Sequence, residues 1–282
     1  MMSPTSDGAR THEVLQHGEL TVIGRIRSAS NATFLCEAQL DEQRVHCVYK
    51  PVAGEAPLWD FPDGTLAGRE RGAYLVSVAL GWNIVPYTII RDGPAGAGMV
   101  QRWIDQPGDT DDPAGSESAE QPGSGPDLVD LLPAGQVTPG YLAVLQAYDY
   151  AGNEVVLAHA DDERLHRMAV FDVLINNADR KGGHILAGVD GGVYGVDHGV
   201  TLHSEDKLRT VLWGWAGKPV DDAMLSAVER LRRQLDGALA EELRAHITER
   251  EVAALRSRVH ALLDNPVMPT PDRRRPIPWP AF

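Results

Sequence analysis

The 282-residue chain has two cysteines, Cys36 and Cys47, and no long hydrophobic run. Two thiols cannot build a disulfide framework or a four-ligand zinc site. No stretch approaches the roughly 20 apolar residues that a membrane-spanning helix needs. Residues 1–16 are polar and lack the apolar segment of a secretory signal. Positive charge is scarce as well: 26 Lys and Arg face 40 Asp and Glu, a net charge of −14. Nucleic acid is therefore not an expected partner, because phosphate neutralisation requires a basic surface. Stable membrane association is not expected either. The one dense basic run, Arg273-Arg274-Arg275, falls short of the clusters of about 4–8 that lipid recognition uses. The expectation is a soluble cytoplasmic protein whose cysteines stay reduced and packed.

What remains is an ordinary globular composition, 43% hydrophobic and 23% charged, long enough for a large core. Residues 1–15 read as a flexible lead-in without periodicity. Leu20–Ile26, Ala32–Leu40 and Arg44–Lys50 read as strands, with Pro51 ending the third. Leu66–Leu80 reads as a helix stopped by Gly81. Two more strands, Val85–Arg91 and Gly98–Ile104, flank an Asp92-Gly93-Pro94 turn. Residues 105–127 hold no apolar run and read as an acidic, disordered insert.

Apolar character returns at Leu128–Tyr150. A helix over Glu163–Ala178 follows, with Leu165, Met168, Ala169, Asp172 and Ile175 at helical spacing. Ile185–Ala187 and Val193–Val196 form a short hairpin. Asp221–Leu239 and Thr248–Leu263 are helices, the second opened by a Thr248-x-x-Glu251 capping box. The resulting class is α+β in two lobes with a cleft between them. Residues 16–104 make a β-rich N-lobe, 128–264 a mainly helical C-lobe, and 265–282 a Pro-rich tail.

Chemistry concentrates at Asn176-Asn177-Ala178-Asp179-Arg180-Lys181-Gly182-Gly183-His184 and, after the hairpin, Asp197-His198-Gly199. Asp179 has small or cationic neighbours, which leave room and positive potential for a phosphorylated ligand. Its carboxylate can orient a hydroxyl proton. Asp197 emerges at a tight turn as an oxygen donor suited to Mg²⁺. His184 offers nitrogen, a poorer partner for Mg²⁺ and a better one for Mn²⁺ or Zn²⁺; the alternative is a packed, hydrogen-bonding histidine. His198 reads as a spacer. Lys50 on its strand can reach nucleotide phosphates, or it is an exposed edge lysine. Glu70 on the next helix can hold Lys50, or it is a surface partner of Arg69 and Arg71. Ser28, Ser30 and Asn31 lie in a loop between strands that offers hydroxyls and amides to phosphate, or that is a plain turn.

The order and spacing of these motifs resemble the phosphatidylinositol 3-/4-kinase-like family. The likeness is nearest to type II phosphatidylinositol 4-kinases through Leu80-Gly81-Trp82-Asn83-Ile84-Val85-Pro86-Tyr87-Thr88. That family has Asp-Arg-x-x-x-Asn followed by a strand and Asp-x-Gly; here histidine stands at the asparagine position. The resemblance implies a kinase-like two-lobed fold with ATP and magnesium or manganese in the cleft. Asp179, Lys50 and Arg180 become catalytic, and Asp197 and His184 metal ligands. Ser28, Ser30, Asn31, Lys50, Glu70, Gln101 and Trp103 line the nucleotide site, the last two in the adenine-holding hinge Met99–Trp103. The expected activity is transfer of the γ-phosphate to a hydroxyl of a protein or small polyol. The alternatives are a nucleotide-binding pseudokinase and a true phosphoinositide kinase.

Overall fold

The computed structural model describes residues 6–26, 31–108, 128–149, 151–272 and 274–282. Ser28, Ser30 and most of the acidic stretch, residues 109–127, lie outside them. Helix α1 (Ser6–His17) occupies the region read as a flexible lead-in. Its polar composition hid two apolar anchors: Val14 and Leu15 are fully buried against the first sheet, with Cys36, Ala38, Cys47 and Tyr49. Arg10 on the same helix bonds Gln43 and Asp41 at the far hairpin turn.

The first sheet holds β1 (Glu19–Arg25), β2 (Phe34–Leu40), β3 (Gln43–Pro51), β4 (Thr88–Gly93) and β5 (Gly96–Arg102). All neighbours are antiparallel, in the order β1-β2-β3-β5-β4. Cys36 and Cys47 are cross-strand partners, both buried free thiols. Burial pushes them up to about 11 and about 12 respectively, so they pack as small apolar groups.

Helix α2 spans Leu66–Leu80. The Thr65 side chain accepts from Gly68 N–H, and the Glu55 carboxylate accepts from Leu66 and Ala67 N–H. These contacts satisfy donors that a helix start otherwise leaves unpaired. Gly81 ends the helix at φ 71°, the left-handed conformation glycine adopts without a Cβ penalty. Although α2 precedes β4 in the chain, its residues Ala73, Leu75, Val76, Ala79 and Leu80 belong to the core built by the later helices. Arg69 fixes it further: its guanidinium, 1% exposed, bonds Glu251 and the carbonyls of Thr201 and Asp63.

The second half opens with a three-stranded antiparallel sheet, order β6-β8-β7, from β6 (Val129–Pro133), β7 (Tyr141–Tyr148) and β8 (Glu154–Ala160). The sequence signalled only renewed apolar character here, because β7 alternates irregularly around a bulge between Ala143 and Leu145. Helix α3 (Glu163–Ile175) leads to the hairpin of β9 (Ile185–Ala187) and β10 (Val193–Gly195). Then come α4 (Asp222–Leu235), α5 (Ala238–Arg244) and α6 (Glu249–Asp264). The single helix expected over Asp221–Leu239 is thus two, broken at Asp236-Gly237. The expected capping box at Thr248 is formed. The architecture is α+β: an antiparallel sheet in the N-terminal half and mostly helices in the C-terminal half. Among the described residues, no helix is long and apolar enough to cross a membrane.

Candidate functional site

Three distant segments meet at Lys50. Its Nζ lies 2.7 Å from Glu70 Oε1 and 2.8 Å from Asp197 Oδ1. Strand β3 supplies the cation, α2 one carboxylate, and the turn after β10 the other. Burial works against the ammonium, but the two carboxylates outweigh it and hold Lys50 above its usual range. The Lys50 charge in turn holds Asp197 well below the ordinary carboxylate range. Removing Lys50 would leave Glu70, 2% exposed, as an uncompensated buried charge.

Glu70 is held at both oxygens. Oε2 accepts the backbone N–H of His198 at 2.9 Å. Asp197 adopts φ 59°, a left-handed conformation that Asp tolerates better than most residues. Its carboxylate is 52% exposed and so stays open to a ligand.

The Asp179 loop is shaped from inside. Asp172, fully buried on α3, accepts from Arg180, from Asn177 Nδ2 at 3.0 Å and from Thr210 Oγ1 at 3.0 Å. Arg180 is itself completely buried, and it also donates to the carbonyls of His184 and Val196. The guanidinium expected at the chemistry therefore sits behind the loop and stiffens it. Asp179 caps this arrangement with its N–H on Asn177 Oδ1, while its own carboxylate is partly open, 3.6 Å from Lys181 Nζ. Burial pushes Asp179 up, and Lys181 opposes the shift.

His184 connects the two acids. Its Nδ1 lies 3.0 Å from the Asp179 carbonyl and its Nε2 3.4 Å from Asp197 Oδ2. A carbonyl only accepts, so Nδ1 carries the proton and the neutral ring presents a bare Nε2 to the carboxylate. Burial drives the ring down to about 4 despite Asp197, so it is neutral at physiological pH. Two acceptors face each other there, a pairing that a cation relieves. A metal-binding histidine commonly donates its other N–H to a carbonyl in this manner. Asp197 and His184 thus fit as two donors to one ion. Among the described residues, no group of three or more His, Cys, Asp or Glu could hold a metal alone, so further ligands would come from phosphate and water.

The remaining expected residues are placed less directly. Asn31 accepts from Ala56 N–H at 2.8 Å and so ties its loop to the segment after β3. Gln101 is buried and bonds Thr88 Oγ1 at 2.8 Å. The Trp103 N–H is donated to the His46 carbonyl. Neither of these two groups is free to face a nucleotide. The sequence reading missed Asp172, Asn177, Thr210 and His198 as organisers of the site. A signal for Asp172 existed: it is the single acid on the otherwise apolar stripe of α3, and a charge there needs a buried partner. A cavity elsewhere, lined by Trp82, Ile84, Arg164, Arg167 and Tyr194, contains none of these residues.

No family model matches the chain. A crystal structure of a Helicobacter pylori proinflammatory kinase, CtkA, shows a distant likeness. It has a TM-score of 0.38 and 11% identity over 87% of this chain and 96% of that one, too remote to bear on the site. In sequence the relationship is much closer: Protein Rv2133c of Mycobacterium tuberculosis is 69% identical over 271 residues, 96% of this chain and 95% of that protein, and the chain belongs to the family of that protein.

Proposed function

We propose that the chain is an ATP-dependent phosphotransferase of kinase-like architecture, related in mechanism to the phosphatidylinositol 3-/4-kinase-like enzymes. The observation that carries this reading is the Lys50 bridge between Glu70 and Asp197. A strand lysine held by a helix glutamate, beside an aspartate on a separate turn, is the arrangement that positions nucleotide phosphates and their metal.

In this reading Lys50 binds the phosphates and Glu70 holds it in place. Asp197 and His184 hold the magnesium or manganese ion that neutralises phosphate charge. Adenine lies toward the end of β5, where Gln101 and Trp103 shape the backbone. Asp179 orients the acceptor. The acceptor oxygen bonds the γ-phosphorus while the β–γ bridging P–O bond breaks. The electron pair leaves on ADP, and the hydroxyl proton passes to the Asp179 carboxylate. Burial, which raises the proton affinity of Asp179, favours that acceptance. The acceptor is a protein or a small polyol, because the acidic chain offers little to an anionic lipid.

Calorimetric titration with ATP and Mg²⁺ or Mn²⁺, combined with a γ-phosphate transfer assay, tests the reading on wild-type protein and Lys50→Met. Binding and transfer that both depend on Lys50 support it. Binding without transfer would instead favour a pseudokinase, a reading motivated by histidine at position 184. No binding in the wild type overturns both.

A further inference from the structure

His198 is completely buried, and the roles assigned so far use only its backbone N–H. Its ring lies between two charged systems. On one side, Arg180 Nη2 is 2.7 Å from His198 Nε2. Arginine can only donate, so Nε2 accepts and the proton of the neutral ring resides on Nδ1. On the other side, Nδ1 lies 3.9 Å from Glu70 Oε2 and has no hydrogen-bond partner among the described residues. That distance is beyond hydrogen-bond range, so the direct link from His198 to Glu70 is its backbone N–H. Phe171 packs edge-on against the ring at 5.8 Å and keeps it from turning away. Thr201 Oγ1 donates to the His198 carbonyl at 2.8 Å, which fixes the backbone that carries the amide.

The contacts form one continuous line. Asp172 holds Arg180, Arg180 meets His198, His198 meets Glu70, and Glu70 holds Lys50. Its first part shapes the Asp179 loop in the C-terminal half. Its last part sets the lysine on the N-terminal sheet. His198 is the residue where the two parts join.

We infer that His198 is a positioning residue that couples the Asp179 loop to the Lys50–Glu70 pair, through ring Nε2 on the Arg180 side and through its backbone N–H on the Glu70 side, rather than a spacer after Asp197. The inference rests on the phosphotransferase reading for its effect on catalysis, but the coupling itself can be measured without nucleotide. Two substitutions separate polar bridging from space filling. Gln places an amide oxygen near the position of Nε2 and still accepts from Arg180. Phe keeps an aromatic ring against Phe171 and accepts nothing.

The experiment compares wild type, His198→Gln and His198→Phe, each checked for folding, by calorimetry with ATP and Mg²⁺ and by transfer kinetics. His198→Phe should weaken nucleotide binding by about tenfold or more, the scale of a typical coupling within one network, while His198→Gln recovers most of the loss. A double-mutant cycle of His198→Phe with Glu70→Gln on the urea midpoint, without nucleotide, should show non-additivity. Wild-type affinity in the Phe variant, or a Gln variant no better than Phe, overturns the inference; so does an additive cycle. If wild-type protein binds no ATP, the phosphotransferase reading fails and the cycle alone decides whether His198 couples the two halves.

Discussion

His184 presents an unprotonated ring nitrogen to a carboxylate oxygen of Asp197 at 3.4 Å. Left alone the contact is unfavourable, and a metal ion is the natural third member. Nitrogen in the donor set shifts preference away from Mg²⁺, which favours oxygen and octahedral geometry, toward Mn²⁺. His184→Asn should therefore raise the ratio of Mg²⁺-supported to Mn²⁺-supported transfer. Assaying both proteins across both metals checks this. A folded asparagine variant inactive with either metal would mean that His184 has a different role.

A second prediction concerns the loop that carries Asp179. The N–H of Gly182 donates to the Ala281 carbonyl at 2.8 Å, and the Phe282 ring lies directly on Gly182. A Cβ at position 182 would fall 2.2 Å from Phe282 Cε1. Overpacking of this kind costs about 1–3 kcal/mol, and the half-exposed ring can yield, which favours the low end. Gly182→Ala should lower the melting temperature, and adding Phe282→Ala should restore it. No rescue by the second substitution would show that the clash is not the cause.

Lys50 was legible at the end of its strand, Glu70 on the following helix, and Asp179, His184 and Asp197 in the polar segments around the short hairpin. What brings them together was not. The Lys50–Asp197 contact spans 147 positions, and no local pattern encodes a separation of that length. Arg180 is a different case. The resemblance made it catalytic beside Asp179, whereas its side chain turns inward to meet the acid on α3. Helix boundaries followed the same logic. Gly81 marked the end of α2 correctly because a glycine stop is local chemistry, but α1 was hidden because its case rests on Val14 and Leu15 docking against a sheet.

Stability should fall on mild acidification. His159 donates from Nδ1 to the Ala160 carbonyl and accepts from Gly214 N–H at Nε2, so it is held neutral. Burial lowers the proton affinity of His159, and likewise of His166, which stacks on Trp215. In the unfolded chain these rings titrate near about 6.5. Below that pH the unfolded state binds protons that the folded state refuses, so stability present above about 6.5 is lost as pH falls. Melting temperature measured from pH 8 to pH 5 should drop, with a shallower drop in His159→Gln. A flat profile in the wild type would contradict the buried, neutral assignment.

Asp179 and Asp197 should fail in different ways. Asp197 contacts Lys50 at 2.8 Å and faces His184, so its charge belongs to the phosphate and metal side of the site. Asp197→Asn keeps the shape but removes that charge, and metal–nucleotide binding itself should weaken. Asp179 lies across the His184 ring, which meets its backbone carbonyl, and its carboxylate lies 3.6 Å from Lys181 Nζ. Asp179→Asn should therefore leave nucleotide affinity nearly unchanged while transfer falls by about 10²–10⁴-fold, the usual scale of a general base. Calorimetry with ATP and Mg²⁺ measures the first property and a transfer assay the second, on both folded variants. Loss of binding in Asp179→Asn with binding spared in Asp197→Asn would reverse the two roles. No effect of either substitution on binding or transfer would sink the phosphotransferase reading, because that reading gives these two carboxylates the metal and acceptor roles.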